Sequence, residues 1–284
     1  MLQSEEPHWD LIIKPKAKFL DLQLMKVWDY RDLLFLLVRR DFVAFYKQTI
    51  LGPVWFFIQP LFTTTIYVFI FGKLAAISTD GLPAPLFYLA GITAWTYFSE
   101  CLTKTATVFR DNIQILGKVY FPRLIMPFSI VASNLIKFFV QFLLLLILMG
   151  YYWLSGELVQ PTLYLLLLPF LIILMAAQGL GLGMLISALT TKYRDLVLLL
   201  TFGIQLLQYA TTVIYPLSSL AGTARTVIAL NPMTYILEGM RMGLLGRGTF
   251  NLANFGYVTV ISVVILLLGT VVFNKVEKDF VDTV

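Results

Sequence analysis

Cysteine and histidine are almost absent from this chain, each occurring once in 284 residues, as Cys101 and His8. One cysteine excludes a disulfide framework within the chain and any multi-cysteine metal cluster. A lone histidine in a polar N-terminal arm leaves a histidine-based metal site without a second ligand. Charge is scarce too: 13% of residues are Asp, Glu, Lys or Arg. No Asp or Glu cluster stands at a membrane face, where a membrane-embedded glycosyltransferase or polymerase would need catalytic carboxylates. A phosphate-binding loop is also missing. Gly179, Gly181 and Gly183 in "QGLGLGMLISALTTKYRD" follow no strand and precede no suitably placed lysine. Inside an apolar helix, such small residues allow close packing against a neighbour.

Apolar residues occupy the space that charge leaves. They make up 59% of the chain, and mean hydropathy is +0.83. A soluble domain does not have this composition, so the expected class is an all-α integral membrane protein. The start, "MLQSEEPHWD", is acidic where a signal peptide would be basic, which predicts a cytoplasmic N-terminus. Six apolar stretches are long enough to cross a bilayer: about 54–72, 85–109, 124–150, 161–189, 196–215 and 255–274. Six crossings put both termini on one side. Fifteen Lys and Arg residues fall on that side and four on the other: Lys73, Arg225, Arg241 and Arg247. Basic residues are retained in the cytoplasm, so both ends are expected there. The same asymmetry accounts for the basic pI without nucleic acid. The domain division expected is an arm over 1–27, an interface helix over 28–51 and a transmembrane domain over 52–284.

From Asp29 to Lys47, Leu34, Val38, Phe42 and Phe45 recur at helical spacing, and Arg39, Arg40 and Lys47 fall mostly on other faces. This pattern predicts an amphipathic helix in the headgroup layer, serving as an anchor or as a contact for a cytoplasmic partner. Gly52-Pro53 then turns the chain, and Trp55 marks the interface. The connection "RDNIQILGKVYFPR" offers Asp111 as a cap, a short helix over Asn112–Leu116, Gly117 as its end, and Phe121-Pro122 as a redirecting corner. It is either a rigid knob or an ordinary punctuated loop. Tyr193, Arg194 and Asp195 form a second tight corner behind Lys192.

On the opposite side, Pro216 to Asn254 is too long for a turn and too mixed for a full span. Asn231-Pro232 is a helix start, with Asn as cap and Pro at the first helical position. Glu238 and Arg241, three apart, can pair on one face of the helix that follows. One or two short re-entrant helices are expected, acting as a gate or as a structural plug. Within the spans, Glu100 and Lys104 lie four apart in the second crossing, and Lys137 lies at similar depth in the third. They form a structural pair with snorkelling lysines or an ionisable site. Aromatics crowd the first two crossings. Some belong to the interfacial belt, and others are candidates for lining a conduit: Phe62, Tyr67, Tyr88, Trp95, Tyr97 and Phe98. A ring face stacks on the C–H face of a sugar without demanding one hydrogen-bond pattern, so a long glycan can slide along it.

Four ordered blocks, "LLFLLVRRDFVAFYKQTILGPVWFFIQPL", "GKVYFPRLIMPFSIV", "LTTKYRDL" and "LNPMTYILEGMR", cover nearly the whole chain. Together with six spans they resemble the permease subunit of bacterial ABC exporters for lipid-linked polysaccharides, the O-antigen, capsule and teichoic acid family. The resemblance implies that Arg39, Arg40 and Lys47 belong to an interface helix. It implies that Asp111, Asn112, Ile113, Gly117, Lys118, Tyr120, Phe121, Pro122 and Arg123 form or flank a coupling helix docked on a separate ATPase subunit. Tyr193, Arg194 and Asp195 would make a second contact, and Asn231, Pro232, Tyr235, Glu238 and Arg241 would belong to gate helices. Two copies would pair around one channel above an ATPase dimer that binds ATP and magnesium, in the bacterial cytoplasmic membrane. This chain would carry no cofactor and catalyse no reaction itself. An ABC exporter of drugs or other small molecules, and an ion-coupled secondary transporter, are the rival readings.

Overall fold

The computed structural model describes residues 24–47, 49–116, 119, 121–157, 159–193 and 195–281. Every regular element among them is helical. The N-terminal side consists of α1 (Leu24–Asp29), α2 (Arg31–Lys47) and α3 (Trp55–Tyr67), the last extended by a π-helical turn over Val68–Leu74. Next come α4 (Ala84–Ala106), the single turns α5 (Val108–Asp111) and α6 (Ile113–Leu116), and the long α7 (Ile125–Leu154). The C-terminal half holds α8 (Leu168–Lys192), α9 (Leu196–Tyr209), α10 (Gly222–Leu230), α11 (Pro232–Leu245) and α12 (Leu252–Val281).

Four helical stretches among the described residues are long and apolar enough to cross a membrane: Gly52–Leu74, Ile125–Leu154, Leu163–Lys192 and Leu252–Val276. They fall on the first, third, fourth and sixth expected crossings. The second expected crossing falls on α4, which at 23 residues has the length but carries Thr, Ser, Glu and Lys among its apolar residues. It packs against α3, α7, α8, α9 and α11. Surrounded by protein, it does not need a lipid-grade surface, and polar side chains on it meet partners instead of acyl chains.

The fifth expected crossing departs further. Helix α9 stops at Tyr209 after 14 residues, or about 21 Å at 1.5 Å per residue, short of a hydrocarbon core of about 30 Å. The carbonyls that would continue it are taken by side chains: Asn231 donates to the Ala210 oxygen at 3.3 Å, and Arg241 donates to the oxygens of Thr212 at 2.5 Å and Val213 at 3.1 Å. Residues 210–215 therefore bend inward, and Val213 and Ile214 are buried.

The glycines of α8 work as the sequence predicts. A methyl group on Gly179 would lie 2.8 Å from the Cβ of Cys101, and one on Gly183 would lie 2.5 Å from the Cβ of Thr105. Gly181, on the other face, sits as close to the backbone of Ile265 in α12. Helix α8 is thus wedged between α4 and α12 at backbone distance.

Candidate functional site: two ends of one buried helix

Helix α4 links two polar centres. Phe87 lies at one end and Ala106 at the other, nineteen residues apart, which is about 28 Å along a helix.

At the Phe87 end stands the hairpin of α10 and α11. The Asn231 side chain accepts from the amide of Met233 at 3.0 Å, Pro232 occupies the first turn, and Gly246 closes α11 with φ 73°. Both helix ends are therefore capped. Glu238 and Arg241 pair at 3.6 Å with both side chains fully enclosed. The carboxylate accepts from the amides of Leu217 at 3.2 Å and Thr249 at 2.8 Å, and from the Thr249 hydroxyl. The guanidinium donates to the carbonyls of Thr212 and Val213 and lies 3.6 Å above the ring of Phe87. A methyl group on Gly91 would stand 2.8 Å from the arginine Nη2, so this glycine makes room for it. Sequence spacing gives the pair, but its partners come from α4, the 210–217 bend and the loop before α12, which no local pattern reveals. Tyr235 is not part of the lock; its ring meets Tyr257 edge-on at 6.0 Å.

At the Ala106 end the two expected corners converge. Thr190 near the end of α8 donates to the Ala106 carbonyl at 2.5 Å, and α5 packs on α8. Beneath them, Val108, Phe109, Phe121, Leu124 and Ile125 form an apolar cluster with Leu37 of α2 and Phe273 of α12. The connection is helical in two turns instead of one. Asp111 closes α5 rather than capping the next helix, because its carboxylate is held by the Thr107 hydroxyl at 2.5 Å and by Arg110 at 2.9 Å. Asn112 separates the turns, and Ile113 begins α6 with its apolar side chain exposed. Phe121 is buried, while Pro122 and Arg123 are half-buried. Gly117, Lys118, Tyr120 and Arg194 lie outside the described residues. Tyr193 and Asp195 are exposed, with Lys192 5.3 Å above the Tyr193 ring.

Helix α2 lies alongside α7. Leu34, Val38 and Phe42 are half-buried, as an amphipathic face requires, and Arg39 and Lys47 are exposed; the Phe45 side chain lies outside the described residues. Arg40 pairs with Asp41 at 2.7 Å and reaches the Asn112 side chain at 3.4 Å. Helix α2 therefore touches the α5–α6 corner directly, a contact across 72 residues that the sequence does not disclose.

The ionisable residues of the spans do meet. Glu100 accepts from Lys104 at 3.0 Å and from Lys137 at 2.8 Å, and Lys104 also donates to Asn134 at 3.0 Å. Of the candidate conduit aromatics, Tyr88, Trp95, Tyr97 and Phe98 are buried in the core of this single chain. Tyr67 is half-buried with its hydroxyl accepting from Gln208, and Phe62 faces outward at 67% exposure.

Residues 32–245 match the family model described as ABC-2 type transporter. The O-antigen export system permease protein RfbA of Myxococcus xanthus is 28% identical over 263 residues, covering 91% of this chain and 98% of its own. A Klebsiella pneumoniae protein of the same name is 25% identical, over 88% and 94% of the two chains. The polysialic acid transport protein KpsM of Escherichia coli is 21% identical, over 80% and 87%. The matched segment runs from α2 through both corners to the end of the hairpin, and with the apolar helices it makes this chain a multi-pass member of the ABC-2 type transporter membrane family.

Proposed function

We propose that this chain is the permease subunit of an exporter that moves a lipid-linked polysaccharide, O-antigen in the first place, across the bacterial cytoplasmic membrane. The observation that carries this reading is end-to-end similarity to an O-antigen export permease, covering 98% of that protein. Two copies of the chain work with two copies of a separate ABC ATPase, which binds ATP and magnesium. The exposed apolar faces of α3 and α9, the latter with no buried residue, face lipid and the second copy.

The α5–α6 corner and Tyr193–Asp195 rest on the ATPase from the cytoplasmic side, where both termini also lie. Their closure moves the Ala106 end of α4. The helix transmits that motion to the α10–α11 hairpin, which gates the far side. Asn231, Pro232, Tyr235, Glu238 and Arg241 build this gate.

The test is complementation: a strain lacking its permease, supplied with this chain and its ATPase, should display surface polysaccharide. Ile113→Asp, which puts a charge on the exposed apolar tip of α6, should abolish display and the ATPase stimulation that accompanies it, while the chain still inserts. Display that persists without the ATPase would overturn the reading in favour of ion coupling.

A further inference from the structure

A cavity of about 440 Å³ opens between α2, the end of α4, the α5–α6 corner and α7. Its apolar wall includes Phe42, Phe56 and Ile130, and its polar wall is organised by one stripe of α7. Ser129, Ser133 and Lys137 follow at intervals of four residues, which places them above one another on a single helix face. All three border the cavity, as do Asn134 and Lys104. Glu100, which both lysines hold, does not line it. Both lysines thus border the cavity, each within 3.0 Å of the carboxylate that they share. The acids that do line it, Asp41 and Asp111, each hold an arginine, Arg40 at 2.7 Å and Arg110 at 2.9 Å. Taken together these groups leave one positive charge in excess. Lys104 spends two of its three N–H donors, on Glu100 and Asn134.

We infer that this cavity binds an anion of the phosphate class, carried on a lipid headgroup or free. Two ammonium groups beside an apolar wall suit a phosphate joined to an acyl or prenyl chain, and they equally suit the bare ion. The apolar wall favours the lipid-borne form. Arg40 and Asn112 form both the rim of the cavity and the contact between α2 and the corner, so an occupant touches the groups that join those two elements. The inference rests on the exporter reading only for placing this end of the molecule at the cytoplasmic leaflet.

Binding to the purified full chain in detergent, counted as mass adducts under native ionisation, tests it. The probes are inorganic phosphate, phosphatidylglycerol and a glycan-free polyprenyl diphosphate, with phosphatidylcholine as reference. Lys137→Gln should weaken binding about tenfold, the loss expected of one charge-assisted hydrogen bond in a half-buried site. Glu100→Gln should tighten it, because the competing carboxylate charge is gone. A purely structural triad predicts no such opposition of signs. Lys104→Gln, at a more exposed lysine, should weaken binding by a smaller factor, and it carries the test if Lys137→Gln does not fold. The tightest probe names the source: free phosphate, a bilayer headgroup, or the carrier of an exported glycan. Binding of none of the three, or binding indifferent to all three variants, overturns the inference. A chain that fails here yet supports ATP-dependent export leaves the exporter reading standing, and binding without export does the reverse.

Discussion

The two ion clusters at opposite ends of α4 use similar residues to different ends. Glu238 and Arg241 are sealed: one carboxylate faces two amides and a hydroxyl, and one guanidinium faces three carbonyls and an aromatic ring. Glu100, Lys104 and Lys137 are open: two cations share one carboxylate, the Lys104 side chain is 47% exposed, and a cavity adjoins the lysines. A buried pair tied to several backbone groups fixes geometry, because any rearrangement must break several bonds at once. An under-neutralised cluster beside open volume keeps capacity for a ligand. The difference lies in what surrounds the charges, not in the charges themselves.

The contrast predicts a ranking of effects. Arg241→Leu should be the most damaging change, costing about 3–5 kcal/mol, because it leaves the Glu238 carboxylate buried without its cation. A collapse of the thermal unfolding temperature in detergent would show it, and a stable variant would break the comparison at its sealed end. Gly91→Ala should cost about 1–3 kcal/mol by crowding the same guanidinium, a moderate fall in the same melt. Gly183→Val should fall in a similar range, since its side chain would collide with Thr105 across the α4–α8 contact. Gly203→Ala, whose added methyl meets nothing within 4 Å, should leave the melt unchanged or raise it by up to about 1 kcal/mol through helix propensity. Glu100→Gln should change stability least among the charge variants, by about 1 kcal/mol or less for an exchange in a partly solvated cluster. An effect as large as that of Arg241→Leu would erase the distinction between the two ends.

Much of this arrangement is legible in the chain itself, for identifiable reasons. Asn231-Pro232 announces the start of α11 because capping is a local demand met by particular residues. The spacing of Glu238 and Arg241 announces their pairing because three residues is nearly one helical turn. The glycines of α8 announce close packing because only a missing side chain permits it. Other features are not local. The aromatics of α4 look alike in sequence whether they face lipid, a conduit or protein, and four of them prove to be core. The end of α9 is set by Asn231 and Arg241, which take its onward carbonyls from at least 21 residues away. Asp111 satisfies the composition of a cap, yet Thr107 and Arg110 hold its carboxylate one residue too early.

The sequence by itself determined the solvent, the helices and the family: hydropathy and periodicity are sums over neighbours in the chain, and the ordered blocks need no coordinates to be recognised. Tertiary structure alone decided that α4 is the enclosed helix, that α2 touches the α5–α6 corner, and that two lysines from different helices border one cavity. Those are contacts between residues 30 to more than 100 positions apart, and only packing in three dimensions chooses which of many equally apolar faces meet.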